Sequence, residues 1–279
     1  MRESQAMDGR ATADAPTIRL DRRGVALGVA ALLAGLHGAL TVAVLLEPAI
    51  SGPVGFGQTF LLLLFSLLHG VVLWGGRRLG LFFVLALSIP WALEQVGVAT
   101  GWIYGGYRYE RMAGPWLGHV PLLIPLAWFM MLYPSTVIAH LIDTGQPAPR
   151  SQSWRDDLWL ALLAGLVMTA WDLALDPVMV EHGMWVWERP GPYFGVPIQN
   201  YVGWVITGFL VVGLARRLWH WSGWQAPSAV PAWAVALPLW IYASVMVRFF
   251  SRPDLGLIAA FAMGLPLLIA GRRWLQSAS

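Results

Sequence analysis

The chain has 279 residues, 57% of them hydrophobic and 12% charged, with mean hydropathy +0.61 and formal net charge +3. That composition excludes a soluble globular domain and places the chain in a membrane. Cysteine is absent, which excludes disulfides, thiolate catalysis and Cys-ligated zinc or iron–sulfur centres, and every basic residue is Arg, so the pI near 9.6 reports membrane topology and not a nucleic-acid partner.

Residues 1–18 are small and polar, without periodicity, and are predicted to be a disordered tail; residues 19–279 are predicted to be one transmembrane helical domain. Arg19, Arg22 and Arg23 lead into a first span at 24–46, too long and too poor in cleavage signals for a removable leader. Further apolar runs predict spans at 54–75, 79–99, 118–141, 157–180, 201–219, 232–250 and 255–271. Pro238 and Pro266 interrupt the last two, which a membrane helix tolerates when neighbours satisfy the freed backbone groups. The expected fold class is therefore all-α, a polytopic membrane bundle of about eight helices. With the amino terminus inside, Arg77, Arg78, Arg150, Arg155, Arg216, Arg217, Arg272 and Arg273 all fall on the cytoplasmic side. Only Arg108, Arg111, Arg189, Arg248 and Arg252 fall outside, so both termini are predicted to be cytoplasmic.

In this topology Glu94 ends the third span, while Asp172 and Asp176 end the fifth, all within roughly 6 to 12 Å of the outer boundary. Asp172 and Asp176 are four residues apart and share a helix face. The two longest outer loops, "GWIYGGYRYERMAGP" and "EHGMWVWERPGPYFGVPIQN", follow these acids and hang over the same end. Carboxylates in hydrocarbon are costly, by at least about 2.5 kcal/mol, and usually face a bundle interior. The plain alternative is that they pair with Arg248 or Arg108, or bond Tyr and Trp donors, to pin helices together. Three acids at one depth beside aromatic loops favour a site instead.

Trp116, Trp219, Trp221, Trp224 and Trp274 fit interfacial anchoring. Trp185, Trp187, Tyr193 and Phe194, interleaved with Glu181, His182, Glu188 and Asn200, fit a pocket wall, and "RPGPYFGVPIQN" fits a tight capping loop or lid. His37 and His69 read as core histidines with satisfied hydrogen bonds. Glu181 and His182 are candidates for a proton relay, and His119 lies on the same side. No His pair has metal-ligand spacing, so no metal is expected.

Carboxyl groups withdrawn from water hold their protons, whereas a neighbour in polar surroundings stays ionised, which supplies an acid and a base in one site. Aromatic faces stabilise a nearby cation without capturing it. In lipid this combination points to protonation of an alkene, with the cation captured by water in a hydratase or by an internal double bond in a cyclase.

Two segments then carry a family resemblance: E-x-x-G-x-x-T-G-x-x-Y-G-x-Y-x-Y from Glu94, and D-x-x-x-D-P from Asp172 followed by G-x-W-x-W and G-x-P-x-x-N-x-x-G-W. With the eight-span layout, the chain resembles the carotenoid-biosynthesis membrane hydratases, the family of gamma-carotene 1',2'-hydratase and bisanhydrobacterioruberin hydratase. The resemblance covers roughly residues 60 to 250. It implies cofactor-free addition of water to the terminal 1,2 double bond of an acyclic carotenoid end group, giving a tertiary alcohol. The implied substrates are lycopene, gamma-carotene or a C50 precursor. The implied setting is multi-pass in a bacterial cytoplasmic membrane, alongside other carotenoid-biosynthesis enzymes.

In that reading Asp172 or Asp176 protonates the alkene and Glu94 or the partner Asp deprotonates water, with the labels exchangeable. Tyr104, Tyr107, Trp185, Trp187, Tyr193, Asn200 and Trp204 hold the substrate. Membrane prenyltransferases also use D-x-x-x-D, but they need a second acidic motif and basic residues for the diphosphate. A carotenoid cyclase shares the first step. A non-enzymatic transporter or carotenoid-binding scaffold is a further alternative; a transporter would favour inverted repeats with broken helices, and the halves show no convincing internal symmetry.

Overall fold

The computed structural model describes residues 21–112, 114–148, 153–223 and 230–278. The predicted tail at 1–18, Arg19, Arg150 and Trp224 lie outside them. Among the described residues, eight segments are long and apolar enough to cross a membrane. They are built from α1 (Arg22–Leu46), α2 (Ser51–Trp74), α3 (Gly76–Thr100), α4 (Leu123–Thr144), α5 (Trp154–Glu181), α6 (Ile198–Ser222), α7 (Ala232–Arg248), and a last span divided at Met263 into α8 (Pro253–Ala262) and α9 (Gly264–Ala278). The polytopic helical class and the count of eight are as the sequence predicts.

The fourth span starts at Leu123 and not at 118. The residues before it form a small hairpin of β2 (Trp116–Leu117) and β3 (Val120–Pro121), turned at Gly118 with φ 66°. The Gln95 amide of α3 donates to Leu117 O at 2.5 Å and its carbonyl accepts from the His119 N–H at 2.9 Å, which holds that hairpin at the end of α3.

The centre of the bundle is α4, buried along most of its length and packed on α2, α3, α5, α7 and α9. Around the site end, α3 packs on α4, α4 on α5, α5 on α6, and α6 back on α3, closing a four-helix ring. The α5–α6 contact is backbone-close, because a Cβ on Gly208 would lie 3.0 Å from the Gly165 Cα.

Helices in lipid must satisfy every backbone group, and a proline frees the carbonyl four residues earlier. The bundle meets that need with side chains from other segments. Pro134 frees Met130 O, which accepts from Ser66 at 3.4 Å, and Pro238 frees Ala234 O, which accepts from His69 Nε2 at 2.8 Å. His69 Nδ1 then accepts from the Tyr133 hydroxyl at 2.6 Å, so this histidine is a core linker, as its position in an apolar span suggests. His37 is likewise satisfied, through the Ser244 hydroxyl at 2.8 Å.

At the end of the ring away from the site lies a buried ion pair, Arg216 Nε to Asp157 Oδ1 at 2.9 Å, with side chains 5% and 3% exposed. His140 Nε2 accepts from the same guanidinium at 2.9 Å, and its Nδ1 faces Pro147 O at 3.0 Å. Here the loop to α5 is tied to α4 and α6.

Candidate active site

Glu94 is one turn or two from the carboxyl end of α3, Asp172 and Asp176 occupy the equivalent stretch of α5, and Asn200 lies in the first turn of α6. All four are at least 95% buried, at one end of the four-helix ring. The two long loops that follow Glu94 and Asp176 meet there, as the sequence suggests, and they do so by pairing. β1 (Tyr107–Tyr109) and β4 (Trp185–Trp187) form an antiparallel ribbon with Tyr107 opposite Trp187 and Tyr109 opposite Trp185. Because side chains alternate along a strand, Tyr107, Tyr109, Trp185 and Trp187 share one face, and that face roofs a cavity. Arg108 and Val186 take the other.

The cavity measures about 60 Å³, on a scale where roughly 10–15 Å³ admits one water. Glu94 and Asp176 both line it, with Asn200 and Trp204 from α6 and with Ile124, Ala127, Trp128 and Met131, which are one face of α4. Trp128 stacks on Trp204 with ring centroids 4.3 Å apart.

The acids are held by neutral donors. Glu94 accepts from the Tyr107 and Tyr109 hydroxyls on Oε2, the latter at 2.8 Å, and from Trp128 Nε1 on Oε1 at 3.3 Å. The single Asn200 Nδ2 donates to Oδ2 of Asp176 and, at 3.4 Å, to Oδ2 of Asp172. Asp172 is fully buried behind Asp176, away from the cavity, and its Oδ1 has no hydrogen-bond partner among the described residues. Arg108 pairs with Glu110, and Arg248 bonds Gln58 and the Ser51 carbonyl, so the arginine pairing considered for the acids is not formed. Burial, reinforced by the nearby Glu94 carboxyl, pushes the Tyr104 and Tyr109 phenols well above their ordinary range, so both remain protonated.

Glycines set this arrangement. The Tyr104 ring is wedged between α3 and α6: a Cβ on Gly97 would meet it at 2.9 Å and one on Gly203 at 2.6 Å. These glycines stand three residues after Glu94 and Asn200, which gives the E-x-x-G and N-x-x-G spacings a physical reason. The Tyr104 hydroxyl bonds Thr207 Oγ1 at 2.7 Å, and its carbonyl accepts from Trp187 Nε1 at 3.0 Å, tying wedge to roof. The preceding Ile103 sits at φ 74°, a strained conformation for a β-branched residue.

Of the residues singled out from sequence, Glu94, Asp176, Tyr104, Tyr107, Trp185, Trp187, Asn200 and Trp204 line the cavity. Asp172 lies behind it. Tyr193 does not line it: its hydroxyl donates to Leu173 O at 2.8 Å, and the loop carrying it packs against α5 instead of lying over the cavity. Glu181 pairs with Arg252 near the surface, and the exposed His182 bonds Val178 O at 2.7 Å, so both sit away from the cavity. Tyr109 and Trp128 are the additions the structure makes. Tyr109 is legible as the second aromatic of Y-x-Y, whereas an indole inside an apolar span carries no sequence signal beyond its lone N–H.

The family model described as "Carotenoid biosynthesis protein" matches residues 55–270. Bisanhydrobacterioruberin hydratase of Haloarcula japonica is 32% identical over 199 residues, which cover 66% of this chain and 65% of that protein. The matched segment thus spans just under two thirds of the relative's length. No solved structure matches.

Proposed function

This chain belongs to the carotenoid biosynthesis protein family, and from that premise we propose that it adds water across the terminal double bond of an acyclic carotenoid end group. The observation that carries the reading is one small aromatic-lined cavity with carboxyls on two walls, Asp176 from α5 and Glu94 from α3. The name of the Haloarcula relative, a hydratase, supports it.

Asp176, facing the cavity, gives its proton to C2, and the C1=C2 π electrons leave a tertiary cation at C1. Trp128, Trp204 and Trp187 present ring faces and edges to that cation and offer no competing nucleophile. Water adds to C1 and loses a proton to Glu94, whose oxygens are oriented by Tyr107, Tyr109 and Trp128. Return of that proton to the Asp172–Asp176 pair through cavity water closes the cycle. One water enters the product, a tertiary alcohol, and nothing is oxidised or reduced, so the balance calls for no cofactor. Asn200, shared by both aspartates, fixes which oxygen of Asp176 faces the alkene.

On the scale of about 10–15 Å³ per water the cavity has room for about four to six water-sized groups, enough for the dimethylalkene tip of an end group, while the remaining polyene would lie in the bilayer, whose hydrocarbon is about 30 Å thick. The Arg distribution favours the outer face of a bacterial cytoplasmic membrane for this end. The test is product analysis in bacteria accumulating lycopene, gamma-carotene or a C50 precursor. Gain of one water with the intact chain, and its loss in a well-expressed Asp176→Asn variant, is the expected result. An isomer of unchanged mass would replace hydration by cyclisation, and no product from any of the three would overturn the reading.

A further inference from the structure

Pro177 lies inside α5, and the turn it disrupts runs from Leu173 and carries Asp176. Proline has no N–H, so the Leu173 carbonyl loses its helical donor in the stretch that must aim the acid. The Tyr193 hydroxyl supplies that donor at 2.8 Å.

The chain goes to some length to place this one hydroxyl. The Val196 N–H donates to Tyr193 O at 2.8 Å, closing a turn whose two central residues, Phe194 at φ 49° and Gly195 at φ 84°, are both left-handed. That is the type I′ pattern, which suits Gly, Asn or Asp, and a Phe in it is a strained outlier. At the base of the turn the Gly191 N–H donates to Gly195 O at 2.9 Å, and a Cβ on Gly191 would lie 2.2 Å from Val196 O, so only glycine fits. The Tyr193 ring stands edge-on to Tyr201, the neighbour of Asn200, at 5.5 Å. Burial, with the carboxyl groups of Asp172 and Asp176 beside it, pushes the Tyr193 phenol up to about 12, so its hydroxyl keeps its proton and can donate at neutral pH.

We infer that Tyr193 is a positioning residue: by replacing the hydrogen bond that Pro177 removes, it fixes the α5 turn that aims Asp176 into the cavity and holds both aspartates on Asn200. The activity readout of this inference rests on the hydratase reading; its second readout does not.

The test is a cycle of Tyr193→Phe, Pro177→Ala and the double variant, each followed by turnover of the carotenoid that the intact chain hydrates and by thermal melting in detergent. The Pro177→Ala change restores a backbone N–H to Leu173 O, which makes the hydroxyl redundant. Tyr193→Phe alone is expected to lower kcat by about tenfold or more with KM within about twofold, since a small misplacement of a reacting group acts on kcat. It is also expected to lower the melting point. In the Pro177→Ala background the same substitution should change kcat by less than about twofold and leave melting unchanged, the non-additivity expected of partners in one interaction. Equal losses in both backgrounds, or a rise in KM with kcat intact, would overturn the proposal. If the intact chain hydrates nothing, the hydratase reading fails, while the melting cycle still decides whether Tyr193 acts through the Leu173 carbonyl.

Discussion

Replacing Gly203 by Ala tests whether Tyr104 is a rigid wedge. The added Cβ would lie 2.6 Å from Tyr104 Cδ1 and 2.7 Å from the Ile103 carbonyl oxygen, whereas carbon contacts relax near 3.5–4.0 Å, so about 1 Å must open. Tyr104 has nowhere to withdraw. Its hydroxyl is held by Thr207 at 2.7 Å, its other face already touches Gly97, and the Ile103 carbonyl is fixed by a backbone at φ 74°. Overpacking costs about 1–3 kcal/mol, and the upper half of that range applies where backbone is struck on one side. Alanine's helix preference returns about 1 kcal/mol, leaving a net loss of about 1–2 kcal/mol. Gly57→Ala in α2, where nothing lies within 4 Å, keeps the gain without the clash. The two variants should therefore differ by about 2–3 kcal/mol, or about 4–12 °C in melting at roughly 2–4 °C per kcal/mol. Tryptophan fluorescence melts in detergent measure this directly. A displacement of Tyr104 by about 1 Å carries the roof with it through Trp187 and should lower carotenoid turnover by up to about 10²-fold. If Gly203→Ala melts with Gly57→Ala and keeps its turnover, the wedge is soft and the spacing argument for both glycines is wrong.

Glu94→Gln is nearly isosteric but accepts no proton, so turnover should fall by about 10²-fold or more, and a loss of less than about tenfold would move the base elsewhere. Arg216→Met alone strands the Asp157 carboxylate in the interior and should destabilise by about 3–5 kcal/mol, whereas Asp157→Leu with Arg216→Met should recover most of it. Equal losses in melting for the single and double variants would show that the pair itself is strongly favourable. For Tyr104 and Tyr109 the folded phenols lie above their ordinary value near 10. The native state therefore holds these protons more tightly, and their contribution is full below about pH 10 and lost as pH climbs through the raised values. Melting points taken from neutral to strongly alkaline pH should fall above that point, and less so in Tyr109→Phe; an unchanged profile in that variant would contradict the assignment.

Much of this architecture is legible in the sequence because lipid is an unforgiving solvent. Eight apolar runs had to be helices, and acids at matching depths had to face inward. What could not be read is which partner meets which. The strands Tyr107–Tyr109 and Trp185–Trp187 are three residues each, too short to announce a ribbon, although Y-x-Y and W-x-W already carry its alternation. Trp128 and Met131 look like core in any apolar span, and only packing turns their face of α4 toward the acids. Glu181 and His182 are relay candidates by their place on the same side as the acids, yet the end of α5 carries them outward, Glu181 to Arg252 and His182 to the Val178 carbonyl. Pro177 stands in the D-x-x-x-D-P motif, but that the Tyr193 hydroxyl answers the Leu173 carbonyl it frees is a tertiary fact.

The hydrogen bonds of the acids also bear on how such a chain enters a bilayer. Glu94 takes its two hydroxyls from residues 13 and 15 positions later, and the aspartates take their amide from a residue 28 and 24 positions later. Each costly carboxyl is thus partnered within its own helix and the segment synthesised next, so α3 with its following strand, and α5 with the start of α6, can leave the insertion machinery as electrically quiet units. The Trp128 bond to Glu94, the stacking of Trp128 on Trp204 and the closing of the ribbon wait for later helices. The site can therefore be assembled from two pieces, in each of which every carboxyl already has a hydrogen-bond donor from the segment made next, before a distant helix arrives.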